Sequence, residues 1–219
     1  MKVLLLLLFS LRCFIVCAEN APCETPGGPV KAANVLLIKK DNNNRPWVFV
    51  AHTSKDANII DLPGGHCEDK DRSAIYTAIR ETLEETGNHI KLTVEELTQA
   101  PHIIAPEEKG NRIIYIVRRD DLNLETLNQA VRLALENSSL AKPFKEIKGY
   151  SLIPASDFLA GVASQNIQVL NSVNPTPTQI QLKGNNHENL CLRSGTSLAL
   201  ANYYQELKDI IEGLFPELE

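Results

Sequence analysis

The segment from Leu62 to Gly87 constrains this chain most. It reads LPGGHCEDKDRSAIYTAIRETLEETG: a Pro-Gly-Gly turn, an acidic loop, and a run of helix formers stopped by a glycine. A helix turns about 100° per residue, so Glu81, Glu84 and Glu85 fall within one stripe. Three carboxylates on one stripe repel each other and weaken the helix unless a cation sits among them. The bland alternative is a solvated acidic face, the ordinary fate of glutamates on helices. The fixed spacing to Arg80, to Gly87 and to the glycine pair ahead argues against it. A hard divalent ion, Mg²⁺ or Mn²⁺, takes oxygen ligands of this kind and completes its shell with water and substrate phosphate. The expectation is a helix packed behind a tight turn, presenting a face that handles metal and phosphate.

These residues resemble the signature of the Nudix hydrolase superfamily, G-x5-E-x7-R-E-U-x-E-E-x-G-U with U an apolar residue. Gly65 matches the first glycine; Arg80, Glu81, Glu84, Glu85 and Gly87 match the second half. Asp71 stands in place of the first glutamate, eight residues rather than seven separate it from Arg80, and Thr82 and Asn88 fill the two U positions. The extra residue is similar to the variant box of coenzyme A-cleaving members. The upstream arginine motif of that subgroup is not found where residues 49–53 read FVAHT.

The resemblance implies a fold and a chemistry. The fold is an α/β class, Nudix-like α/β/α sandwich with a mixed β-sheet over about residues 29–160. The chemistry is Mg²⁺- or Mn²⁺-dependent hydrolysis of a phosphoanhydride (pyrophosphate) bond in a nucleoside diphosphate linked to another moiety. Glu81, Glu84 and Glu85 would hold the metal, joined by the Gly64 carbonyl. Arg80 would keep a glutamate in its ligating rotamer, and Glu84, Glu85 and Arg80 form the catalytic set. Gly65 and His66 are substrate-binding candidates on the glycine loop. Glu146 resembles a late glutamate that serves some relatives as an extra ligand or base, with Glu107 and Glu108 as competitors. Glu68 and Asp71 are read as loop acids away from the metal. The alternative is a catalytically inactive binding or effector module that keeps the fold. The complete set of three mutually repelling glutamates argues against that alternative.

Composition sets outer bounds. With 43% hydrophobic and 22% charged residues in a 219-residue chain, this is an ordinary globular protein of one domain with additions. A net charge of −5 provides no basic footprint, so the expected partner is a small nucleotide-type substrate and no nucleic acid duplex. Lys2, the apolar run at 3–11 and Val16-Cys17-Ala18 read as a signal peptide cleaved after Ala18. The product is then secreted or periplasmic, with no stable membrane insertion after cleavage, because no second apolar run of about 20 residues follows. The mature chain keeps Cys23, Cys67 and Cys191, which cannot all pair with one another. Cys23–Cys191 is a candidate bond, and Cys67 reads as a small buried apolar residue.

The domain reading is a signal peptide at 1–18, a Nudix hydrolase domain at 19–160, and a polar connector with a packed C-terminal helix at 161–219. Strands are expected at 29–39, 47–53, 89–97, 100–105, 111–119 and 148–153, and 58–62 leads into the Pro-Gly-Gly turn. Helices are expected from Ser73 to Gly87, over 123–137 through Leu124, Leu127, Val131 and Leu135, briefly at 156–159, and as one amphipathic helix over 196–214. A long polar connector is expected at 163–195. The triplet at 137–139 (NSS) is a glycosylation acceptor. Trp47, Tyr115 and Phe144 are placed in the core in preference to stacking a base. Among the histidines only His66 lies beside the chemistry.

Overall fold

Strand β2 (Gly28–Lys40) organises the molecule, since its β-branched and leucine-rich centre is buried on both faces from Val35 to Ile38. It belongs to a computed structural model that describes residues 23–25, 28–53, 58–107, 110–136, 146–171, 180–183 and 189–216. Along one edge β2 pairs in parallel with β7 (Gly110–Arg118), and β7 pairs antiparallel with β6 (His102–Glu107). Along the other edge lie β1 (Glu24–Thr25), β5 (Gly64–His66) and β3 (Pro46–Thr53), all antiparallel to β2. Strand β3 also pairs with β8 (Ile147–Pro154) and β4 (Ile59–Asp61). Beyond β4 comes β10 (Asn189–Leu192), parallel to it, and then β9 (Gln181–Lys183). The sheet is therefore mixed.

Alternate residues of β2 feed two separate cores, as the period of a strand requires. Val35 and Leu37 pack with Ala74 and Ala78 of α1 (Ala74–Glu85), Leu97 of α2 (Val94–Gln99), and Leu127 and Val131 of α3 (Leu124–Glu136). Leu36 and Ile38 face the other way. They join Phe158 and Val162 of α4 (Ala155–Asn171), Leu200 of α5 (Ser194–Asn202), and Leu207 and Ile211 of α6 (Tyr204–Leu214). Two helical layers enclose the sheet, which is the α/β/α sandwich expected. Among the described residues no helix is long and apolar enough to cross a membrane.

Several local expectations are corrected. Residues 89–97 do not form a strand, although Ile90, Leu92 and Val94 alternate. Thr93 accepts from the Glu96 amide at 3.1 Å and Glu96 reaches back to the Thr93 amide at 3.4 Å, and this capping box starts α2 instead. The short helix begun at 156–159 runs on to Asn171. The polar stretch read as a connector contributes β9 and β10, and the amphipathic C-terminal helix breaks at Tyr203 into α5 and α6. Leu127 and Val131 are buried, but Leu135 of the same predicted stripe is exposed. Ser73 takes the N-cap position of α1 without a side-chain bond, and both Gly87 (φ 58°) and Asn88 (φ 66°) are left-handed after its end.

The cysteines differ as well. Cys23 is bonded to Cys67, with Cα atoms 6.5 Å apart, and Cys191 on β10 takes no part in that bond. The segment 1–18, the NSS triplet, Phe144 and Glu108 lie outside the described residues. Tyr115 is buried in the core, whereas Trp47 is half-buried and donates from Nε1 to Asp41 at 3.2 Å.

Candidate active site

The site is assembled where β5 crosses the lower end of β2. Asn34 opposes Gly64 and Ala33 opposes Gly65 in register. Gly64 has φ 142°, and a Cβ there would run into the Ala33 carbonyl oxygen and the Asn34 backbone, so glycine is what lets the two strands lie together. A Cβ on Gly65 would land on the Glu81 carboxylate. The Gly64 amide donates to Glu85 Oε2 at 2.9 Å, clasping the turn onto the last turn of α1. From β8, the Tyr150 hydroxyl donates to the Glu85 carbonyl at 2.5 Å, while its ring stacks on Phe49 with centroids 4.9 Å apart.

Arg80 is the hub of the acids. It grips Asp71 in bidentate fashion, Nε to Oδ1 at 3.0 Å and Nη2 to Oδ2 at 2.8 Å. Its Nη1 donates to Glu81 Oε1 at 2.9 Å and to Glu84 Oε2 at 3.4 Å, and Nη2 also donates to the His66 carbonyl at 3.1 Å. Burial alone would raise the Asp71 carboxyl, but bonds from Arg80, the Glu68 amide and the Thr77 hydroxyl outweigh it and hold the group at about 2. The Arg80 guanidinium is raised above its ordinary value, chiefly by its bonds to Asp71. Asp71, read as a departure from the signature, is thus the residue that anchors Arg80.

Glu81 and Glu85 sit inward, against the turn. Burial pushes the Glu85 carboxyl well above its usual range; the Gly64 amide opposes this, while the charges of Asp61, Glu81 and Glu146 add to it. Burial also raises Glu81, against the pull of Arg80. Glu84 is more open, with 29% of its side chain exposed against 17% for Glu81. Glu146, exposed at the start of β8, comes within electrostatic reach of Glu85. Its competitor Glu107 is committed elsewhere, pairing with Lys31 at 2.8 Å and Arg112 at 2.6 Å. Glu68 is exposed, pairing with Lys70 at 2.8 Å and lying 3.6 Å from Arg80. His66 is exposed and enters the network through its carbonyl.

Among the described residues no three His, Cys, Asp or Glu side chains stand in a ready-made metal cluster. Arg80 Nη1 bridges Glu81 and Glu84 instead. The donors nonetheless suit a hard divalent cation in kind. Glu85 is a desolvated carboxylate ringed by three like charges and answered by one amide, an imbalance that positive charge relieves.

Two residues passed over in the sequence also belong here. Asp61, at the end of β4, accepts from the Thr196 hydroxyl at 2.6 Å and the Leu62 amide at 2.9 Å, with Arg193 at 3.2 Å. Buried Asn34 donates to the Leu62 carbonyl at 3.1 Å and accepts from Arg112 at 2.6 Å. Asp61 ends the apolar β4 and Asn34 interrupts the apolar run 32–38 of β2, a signal the sequence did contain.

A family model described as the NUDIX domain matches residues 29–171, more than half of the chain. The chain belongs to the Nudix family. It is a Nudix-type hydrolase, acting on pyrophosphate-type bonds, in a family whose members generally use divalent metal ions. The chain is similar to the Nudix hydrolase RenU from M. smegmatis, at 14% identity and a TM-score of 0.45, over 89% of this chain and 97% of that one. It is also similar to a C. elegans Ap4A hydrolase binary complex, at 16% identity and a TM-score of 0.37, over 60% and 84%. A third likeness is the NUDIX domain of Shewanella oneidensis NrtR complexed with ADP ribose, at 15% and 0.37, over 60% and 75%. No curated protein sequence matches the chain.

Proposed function

We propose that this Nudix protein is an exported hydrolase that uses Mg²⁺ or Mn²⁺ to cleave the pyrophosphate bond of a nucleoside diphosphate linked to another moiety. The observation that carries the reading is the clasp between the Gly64-Gly65 turn and the inward glutamates of α1, with Arg80 anchored at its side. Glu81, Glu84, Glu85 and the Gly64 carbonyl would hold the metal, which neutralises phosphate charge and acidifies bound water. Arg80, immobilised by Asp71, sets the carboxylates of Glu81 and Glu84. Glu84, the more open of those two, meets incoming water and takes its proton. Glu85, fixed by the Gly64 amide, keeps the turn and the helix at one separation. Gly65 and His66 line the approach of the phosphates, and Glu146 stands across from Glu85 on the substrate side.

The Cys23–Cys67 bond supports export, because structural disulfides persist in oxidising compartments. The mature protein would then begin after Ala18, with the catalytic domain at 19–160 and residues 161–219 packed onto it. The test is product release by residues 19–219 with Mg²⁺ or Mn²⁺ on a panel including ADP-ribose, Ap4A, nucleotide sugars and coenzyme A. Turnover that needs metal and disappears in Glu84→Gln and Glu85→Gln is expected. Folded, metal-saturated protein inert on the whole panel would favour a binding module.

A further inference from the structure

Asp71 fixes Arg80 from the loop that joins β5 to α1. What holds that loop comes from a distant part of the chain. Cys67, directly after β5, is bonded to Cys23, directly before β1, so the bridge joins two short strands that share one edge of β2. The Cys67 amide donates to the Lys31 carbonyl at 3.0 Å, and the Val30 amide donates to the Cys23 carbonyl at 2.6 Å, fastening both half-cystines to β2.

Both sulfurs pack around one hydroxyl. Thr77 Oγ1, fully buried on α1, lies 3.3 Å from Cys67 Sγ and 3.5 Å from Cys23 Sγ. Of the acceptors within reach, Cys67 Sγ, the Ser73 carbonyl at 3.5 Å and Asp71 Oδ2 at 2.9 Å, the carboxylate is nearest and strongest, so the hydroxyl proton goes to Asp71. Cys23 Sγ is also 3.8 Å from the Asp71 carbonyl oxygen. A continuous set of contacts therefore runs from the bridge through Thr77 to Asp71, to Arg80, and so to Glu81 and Glu84.

We propose that the Cys23–Cys67 disulfide and Thr77 are positioning residues for the reaction, holding Asp71 so that Arg80 presents Glu81 and Glu84 in one arrangement. This rests on the hydrolase reading. Opening the bridge takes two electrons and two protons from a thiol reductant. It leaves two S–H groups that compete for Thr77 Oγ1, and it frees β1 from the loop.

The test uses residues 19–219 in oxidised form. Cys23→Ser with Cys67→Ser removes the bridge without leaving thiols, and Thr77→Val removes the hydroxyl at constant shape. Each is expected to lower kcat about ten-fold while KM stays within about two-fold. Thr77→Ser restores kcat, and joining Thr77→Val to the serine pair lowers it little further, since both act through Asp71. A second readout needs no turnover. The ¹⁵N–¹H resonance of Arg80 Nε, protected by its bond to Asp71, shifts and exchanges faster with water in the serine pair and in Thr77→Val. An unchanged Arg80 resonance and unchanged kcat in folded variants would overturn the proposal. Wild-type protein inert on every substrate would count against the hydrolase reading, and the Arg80 resonance would still decide this one. Should the serine pair not fold, Thr77→Val against Thr77→Ser decides it.

Discussion

Asp71→Asn should make the stability of this protein respond differently to acid. The folded carboxyl lies at about 2, against 3.8 for an unperturbed aspartate, because Arg80, the Glu68 amide and the Thr77 hydroxyl outweigh the cost of burial. Each pKa unit corresponds to about 1.4 kcal/mol of differential stabilisation, so ionised Asp71 contributes about 2 kcal/mol. Its folded pKa is depressed, so this stabilisation is complete above the unfolded value of 3.8 and drains away as the pH falls towards 2. Asparagine keeps the size of the side chain but never ionises. Urea denaturation of both proteins with chelator present, from pH 6 down to pH 2.5, measures the effect. The gap between them should be about 2 kcal/mol at the upper end and narrow steadily below pH 4. Other carboxylates titrate in both proteins and cancel in the difference. A gap that stays constant with pH, or one absent at pH 6, would refute the assignment of Asp71 as the ionised anchor of Arg80.

Three further substitutions probe separate parts of the site and core. At alkaline pH, where Glu85 ionises despite its burial, Glu85→Gln removes a desolvated charge near Asp61, Glu81 and Glu146, so the metal-free protein should melt higher than wild type. That advantage shrinks as the pH falls and Glu85 takes up a proton. The same change should abolish the stabilisation by Mn²⁺, which for wild type is about 2.7 kcal/mol at one hundred times Kd; a metal-induced rise surviving in Glu85→Gln would exclude it as a ligand. Gly65→Ala drives a methyl group into the Glu81 carboxylate, so Mn²⁺ affinity followed by paramagnetic resonance should fall, and unchanged affinity would contradict the close approach. Tyr150→Phe keeps the stack on Phe49 but orphans the Glu85 carbonyl, costing about 1 kcal/mol in denaturant titration.

The acidic stripe was legible because helical periodicity is local: Arg80, Glu81, Glu84 and Glu85 could be placed before any tertiary contact was known. Strands β2, β3 and β7 announced themselves through runs rich in β-formers. The anchoring role of Asp71 was not legible because counting residues measures neither loop path nor side-chain reach, and only the folded loop shows its carboxylate on the Arg80 fork. The strand expected at 89–97 failed because alternation at Ile90, Leu92 and Val94 competed with a capping box at Thr93 and Glu96. Strand β10 was hidden because its parallel partner is far away, Ile59 and Ile60 for Cys191 and Leu192, and β9 pairs only with β10, both short and in polar surroundings. Three cysteines permit three pairings, and nothing local separates Cys67 from Cys191 as the mate of Cys23.

The parallel pairing of β10 with β4 has a consequence for how the chain is made. Strand β4 leads straight into the glycine turn, and one of its edges is closed by residues about 130 positions later in the sequence. At typical rates of elongation that partner reaches the growing chain on the order of ten seconds after β4 does. Until then the strand next to the catalytic turn offers open backbone groups to any neighbouring chain. Productive folding of the active site is therefore a late event, completed only when the last quarter of the polypeptide arrives. A chain ending before residue 189 would lack β10 and leave that edge of β4 without the pairing seen in the full protein.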